Sequence, residues 1–456
     1  MNREGAEPVK SNSSIALVGL AGLLLAASAA TAVGQTQPQR DWCYKDGFTD
    51  DQTISGCTAV IQGGTQGQNL AIAYSNRCWA YSNKQDFSRA IPDCDQALKL
   101  SPNYANGYNN RGNVRYRMED YDAAFADFDK AIKLDPKFSL AYNNRGLVYQ
   151  VARKDYDKAI SDYDMAIKLN AAYADAWENR ASTYLDRQDY ENAIKNYDQA
   201  IKLRPLKPEN YNNRGRAWAA RSDYAKAIAD YDLAIKHKPN YPEALVNRGI
   251  AHRTTKQYEM ALRDYDEALK QRPDYTIAFN NRGNVYRDMK EWDKAIADFD
   301  EALKTNPKYA LALRNRAYAH EGRKDLDSAI KDFDSVVAIS PTDAQAWNEV
   351  CWDRAISGKP ERALVDCNAG LLVNPKYANM LDSRGFVELK LKLYDASIAD
   401  YTARLKIEPK ASNSLYGRGL ARQGAGDKQG GDADIEAALK IDAEVAGRFE
   451  RWGAKP

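Results

Sequence analysis

Three sets of residues in this chain recur or cluster at spacings that could do chemistry. Asparagine stands at Asn76, Asn110, Asn144, Asn179, Asn213, Asn247, Asn281 and Asn315. A carboxamide offers one acceptor and two donors, so it can pair with a peptide group at both ends, and eight in register suit sequence-tolerant recognition of an extended chain. Arginine follows each of them: Arg77, Arg111, Arg145, Arg180, Arg214, Arg248, Arg282 and Arg316. Aspartate pairs such as Asp127/Asp129, Asp162/Asp164, Asp230/Asp232, Asp264/Asp266 and Asp298/Asp300 supply carboxylates in a matching rhythm. The third set is six cysteines, Cys43, Cys57, Cys78, Cys94, Cys351 and Cys367, an even number that admits fifteen pairings.

The elements that position these residues follow from the period, which is 34 residues from Ala71 onward, with one extra residue near Val151 to Lys154. Aromatic residues or leucine occupy the fourth slot of each window (Tyr108, Tyr142, Trp177, Tyr211, Phe279). Small residues occupy the eighth (Gly112, Gly146, Ala181, Gly215, Gly249, Gly283, Ala317). A spacing of four puts them on one helical face. Glycine costs roughly 1 kcal/mol in a helix interior, so its recurrence predicts a neighbouring helix pressing close. Alanine at the twentieth slot, an aromatic at the twenty-fourth and alanine at the twenty-seventh mark a second buried stripe. Proline at the thirty-second slot, as in Pro102, Pro136, Pro205 and Pro239, stops that helix. Each window is therefore a helix–turn–helix, and the period predicts stacked hairpins in which each unit contacts chiefly its neighbours.

This pattern of a bulky residue, a small one, alanine, aromatic, alanine and proline resembles the tetratricopeptide repeat (TPR) family, as in "FNNRGNVYRDMKEWDKAIADFDEALKTNP". The resemblance covers residues 71–445 and implies an all-α fold, an α-solenoid of about eleven units forming a right-handed superhelix. It further implies that the first helices line a concave groove. Some members carry an asparagine ladder there that clasps the backbone of an extended peptide; the protein O-linked N-acetylglucosamine transferases are one example, and "NNRG" here is similar to their asparagine-containing helix. The sixth slot lies about 200° around the helix from the eighth, facing away from the partner helix. The eight asparagines are thus expected to contact a peptide; the competing reading bonds them to neighbouring helices inside the solenoid. The ninth slot beside them varies and becomes more apolar toward the C-terminal end (Trp352, Phe386, Leu420), where it predicts an apolar anchor.

The arginines share the packing side of the first helix, so they read as buried cations that need carboxylates rather than as a basic track. Either aspartate of each pair could serve. Catalytic motifs are missing from the sequence: no G-x-S-x-G, no Walker loop and no HExxH. No C-x-x-C motif occurs, and His237, His252 and His320 are scattered, His252 and His320 standing where tyrosine packs in other windows. The reading is a non-enzyme without cofactor or metal. With 65 Lys and Arg against 63 Asp and Glu the net charge is only +2, which implies no nucleic-acid or anionic-membrane field.

Residues 1–32 read as a secretory signal: Arg3 and Lys10 precede an uncharged run from Ile15 to Val33, and Ala30-Thr31-Ala32 offers a cleavage site. The alternative is an uncleaved anchor over residues 15–33. Residues 33–40 then form a linker, 41–70 a degenerate capping unit and 446–456 a tail. The cysteines fit export. Cys78 and Cys351 replace the small eighth-slot residue, and Cys94 and Cys367 replace the aromatic of the twenty-fourth in the same windows. Paired replacement predicts bridges 78/94 and 351/367, and the alignment of "ISGCTAVI" with "IPDCDQAL" predicts 43/57. The functional expectation is a periplasmic or secreted bacterial scaffold binding a protein or peptide partner. The second reading is a structural assembly factor of the cell envelope or a polysaccharide-binding module.

Overall fold

The computed structural model describes residues 36–454; the signal segment expected over residues 1–32 lies outside them. All regular structure among the described residues is helical. Contacts divide the chain into two compact units, the first ending at Pro239 and the second beginning at Asn240. The first holds a leading helix pair, Gln37–Tyr44 and Asp50–Gln62, and five hairpins beginning with Gly67–Asn83 and Phe87–Leu100. The second holds six hairpins, from Pro242–Thr254 to Lys428–Ile441, and ends on a short helix, Val445–Arg451. The eleven hairpins match the eleven windows, and the fold is an all-α solenoid.

One hairpin shows why the sequence folds this way. The helix Ala105–Arg117 ends at a turn in which Glu119 takes φ 63°, and Asp120 then caps the next helix by accepting the Ala123 N–H at 3.3 Å. That second helix, Tyr121–Leu134, stops two residues short of Pro136. Between the two helices a Cβ on Gly112 would stand 2.6 Å from the Phe128 ring, and Phe128 is fully buried. The same clash would meet a Cβ at Gly146, Gly215, Gly249 and Gly283, each against the ring of its own second helix. The glycine thus exists to let a large ring fill the hairpin, which is the close approach the spacing predicts. The extra residue of the third window is absorbed in the turn: Ala152 to Asp155 separates the helices Ser139–Val151 and Tyr156–Leu169, with Asp155 N–H still closing on Tyr149 O at 3.0 Å.

Both bridges inside repeats replace this ring-on-glycine contact. Cys78–Cys94 and Cys351–Cys367 join the eighth and twenty-fourth slots with Cα atoms 5.4 Å apart, and Cys43–Cys57 joins the leading pair at 4.6 Å. All three expected disulfides form in the structure. Of the residues read as a C-terminal tail, 446–454 are also organised: Phe449 and Trp452 pack into the core of the last three hairpins beside Phe386 and Tyr416.

Candidate protein-binding groove

Within each unit most successive first helices touch one another directly, while among the described residues successive second helices do not. The first helices therefore occupy the inner side of each stack, where the fifth, sixth and ninth slots meet. There several asparagines make the contacts of the competing reading, between neighbouring helices of the solenoid. The eight asparagines do not form a free row. None is exposed; Asn144 is 2% and Asn315 6% exposed, and Asn76, Asn110, Asn179, Asn213, Asn247 and Asn281 are half-buried. Asn144 Nδ2 donates to Asn109 Oδ1 of the preceding repeat at 2.9 Å, Asn179 to Asn143 at 2.9 Å, and Asn315 to Asn280 at 2.9 Å. Asn110 donates to Ser75 Oγ at 3.0 Å and Asn76 to the Cys43 carbonyl at 2.8 Å. Asn281 turns back to the Ile277 carbonyl, and Asn213 accepts distant contacts from Asn212 and Arg216 at 3.4 Å. The sixth slot faces away from its own partner helix, as its angle requires, but toward the first helix of the adjoining repeat.

The acceptors in this pattern, Asn109, Asn143 and Asn280 in the fifth slot, were missed from sequence. Their signal was the doublet in "NN". An unpaired amide at such depth costs about 1–3 kcal/mol, so the two rows act as a register lock between repeats.

The arginines form a second lock, in which first and second aspartates of the pairs play different parts. Arg111 sets Nε and Nη2 on the two oxygens of Asp127 in its own hairpin, at 3.0 and 2.7 Å, and Nη1 on Asp95 of the preceding one at 2.7 Å. Arg145 does the same with Asp162 and Asp129, Arg214 with Asp230 and Asp198, Arg282 with Asp298 and Asp266, and Arg316 with Asp332 and Asp300. The first aspartate is intra-hairpin and the second inter-hairpin. The hydrogen bonds that Arg214 donates to Asp230 raise the guanidinium above its ordinary range, while burial raises Asp230 against the pull of Arg214. Eleventh-slot bases join the same carboxylates: Arg115 reaches Asp127 at 2.7 Å, Arg422 reaches Asp434 at 2.8 Å, and His252 Nε2 stands 3.8 Å from Asp264. His252 and His320 are thus neighbours of the ion-pair ladder as well as packing residues; His320 Nε2 lies 3.9 Å from Asp332.

Toward the C-terminal end the asparagine row gives way to Glu349, Ser383 and Gly417, and a cleft of about 250 Å³ opens. Trp352, Phe386, Phe449 and Trp452 wall it, with Trp352 and Trp452 edge to face at 4.8 Å. Glu349, Asp382 and the ring of Tyr401 complete it, beside the carboxamides of Asn348, Asn379 and Asn413. The apolar end expected from the ninth slot is present as Trp352 and Phe386, but carboxylates stand among the rings. Burial pushes Glu349 and Asp382 above the usual carboxylate range, the Tyr318 hydroxyl partly offsetting it at Glu349 and that of Ser414 at Asp382. On the adjoining helix turns, Glu321 is pushed up to about 7 by burial and the charge of Glu349. Asp353 is pushed up to about 9 by burial and the charge of Glu321.

Two family models, both described as tetratricopeptide repeat, match the sequence: one over residues 144–205, 178–242 and 280–344, the other over 71–104, 105–138 and 242–275. Among curated proteins none matches. Similar solved structures include YrrB, described as a TPR protein with an unusual peptide-binding site, at 22% identity over 41% of this chain and 95% of that one, TM-score 0.36. The Cut9–Hcn1 hetero-tetramer of the APC/C is similar at 14% identity over 89% and 93%, TM-score 0.41. Pseudomonas aeruginosa pilF is similar at 16% identity over 46% and 94%, TM-score 0.41.

Proposed function

We propose, from the premise that this chain belongs to the tetratricopeptide repeat family, that it is a non-catalytic scaffold of the bacterial envelope. In this reading it holds an extended segment of a protein partner along its first helices. The observation that carries the reading is the cleft at Glu349, Trp352, Asp382 and Phe386, where the inner face stops being a closed row of amides and offers rings and charges to a ligand. Since Asn76, Asn110, Asn144, Asn179 and Asn315 donate to the preceding repeat and Asn281 to its own helix, the segment meets the flanking slots and whatever capacity the row keeps, rather than a ladder of free amides. Three disulfides support an oxidising compartment, periplasmic or secreted. Among the described residues no helix is long and apolar enough to cross a membrane.

A second reading, a structural assembly factor using the opposite face, is favoured by Val365 and Leu372 on the second helix Pro360–Val373, which are 68% and 85% exposed. Display of a random-peptide library against the full chain separates the two. Enriched linear peptides whose photo-crosslinks fall on first helices support the groove. The groove reading fails if no linear peptide is enriched, or if the crosslinks fall on Val365 and Leu372.

A further inference from the structure

We propose that the cleft at Trp352 and Asp382 is a recognition site for a basic side chain, lysine or arginine, carried by the bound segment. The inference names what the C-terminal end of the proposed groove takes, and so rests on that reading. Four observations point to a cation. First, two carboxylates line one small cleft, and among the described residues neither makes an ion pair. Glu349 accepts the Tyr318 hydroxyl, at 3.4 Å, and the Gln345 amide, and Asp382 accepts the Ser414 hydroxyl, at 2.5 Å. The nearest cations pair with other carboxylates: Arg314, whose charge reaches Glu349, with Asp343, and Arg404, whose charge reaches Asp382, with Glu408 at 2.7 Å through one nitrogen, its Nε and Nη1 having no partner among the described residues.

Second, a fully buried hydroxyl lines the same cleft without a partner. Tyr401 is 1% exposed and its Oη makes no hydrogen bond. An oxygen with a free lone pair beside two carboxylates accepts a donor, and a basic side chain brings several. Third, the walls are aromatic. Trp352, Phe386 and Trp452 meet at 4.8 to 5.9 Å, and ring faces attract an organic cation once water is expelled. Fourth, the sixth slot changes from asparagine to glutamate at Glu349, in the repeat where the cleft begins. An anion would meet two carboxylates, and an aliphatic side chain would bury them unpaired; both occupants carry an electrostatic penalty that a cation removes.

The test uses the full chain, labelled with 15N, and the indole N–H resonances of Trp352 and Trp452, assigned through W352F and W452F. It is titrated with the Nα-acetyl methylamides of arginine, lysine and norleucine, which fill the cleft without needing the rest of the groove. Saturable shifts at both indoles are expected with the two basic amides, with norleucine amide at least about tenfold weaker and E349Q and D382N each weakening the basic amides by about tenfold. High salt should weaken the basic amides in the unmodified chain, which keeps the test decisive if a variant folds poorly. Equal binding of norleucine amide, no saturable shift, or affinity unmoved by salt and by both variants overturns the proposal. A basic amide that binds where no extended peptide does leaves the cleft standing and removes only the groove.

Discussion

Arg354 reaches Asp366 at 2.5 Å from a position one helical turn beyond Val350, the only seventh slot without arginine. With its other nitrogen it holds Asp334 of the preceding hairpin at 2.7 Å. The ladder is thus complete in this repeat, with the cation displaced by four residues. Replacing Arg354 with methionine leaves two carboxylates without their cation and should destabilise the surrounding hairpins by roughly 2 kcal/mol, below the 3–5 kcal/mol of a fully buried pair because Asp334 is partly exposed. Arginine restored at the seventh slot, as V350R with R354A, should recover most of that loss in a urea melt.

That substitution also shows what was legible beforehand. The repeat of Val350 keeps Asp366 and has Asn368 in place of the second aspartate, and sequence alone does not assign either, because a single period cannot say whether a repeating partner lies in the same hairpin or the next. Asp366 pairs within its hairpin with Arg354, while Asn368 serves Arg384 of the following hairpin at 2.9 Å. The bonds of the asparagines to the adjoining repeat were illegible for the same reason: helical angle placed them away from their own partner helix and was silent about the next repeat. Contacts inside one window, Gly112 on Phe128 and Cys351 with Cys367, were readable because both members changed together. The closing helix carried its signal in Phe449 and Trp452, spaced three apart, but no repeat frame reached it.

The bridge Cys351–Cys367 occupies the slots of Ala317 and Phe333 in the neighbouring repeat. Non-reduced peptide mapping should recover the pairs 43/57, 78/94 and 351/367. C351A alone should cost about 3 kcal/mol, the loss expected for a loop of this length. C351A with C367F should regain part of it, because a ring against a small residue is the packing used elsewhere; the melting temperatures of the two variants in oxidising buffer give the comparison.

Asn144→Ala removes the donor to Asn109 Oδ1 and should lower stability by about 1 kcal/mol. N109A/N144A should cost less than the sum of the single changes, since neither member of the Asn109–Asn144 bond is then left without the other. Additive losses in this cycle would show that the two side chains do not share a bond.

Stability near the cleft should depend on pH. Glu321 and Asp353 ionise near 4 when unfolded but are held up to about 7 and about 9 when folded, by burial together with the charge of Glu349 on Glu321 and that of Glu321 on Asp353. Between those limits the folded chain binds more protons than the unfolded one, so this contribution is full below about pH 4 and is lost as pH rises toward 9. Hydrogen exchange in the helices Ala310–Gly322 and Ala344–Ile356 should therefore quicken from pH 5 to 9 beyond its intrinsic rate. Asp353→Asn should flatten that trend and stabilise the region at pH 8 by on the order of 1 kcal/mol.

The central claim is that a partner segment lies along the first helices and ends in the cleft. Hydrogen–deuterium exchange of the full chain, with and without a peptide enriched by display, tests it most directly. Protection is predicted in the first helices Ala344–Ile356, Ala378–Lys390 and Ser412–Gly424, with little change in the second helices Pro360–Val373 and Tyr394–Ile407. Protection confined to Pro360–Val373, around Val365 and Leu372, would contradict it.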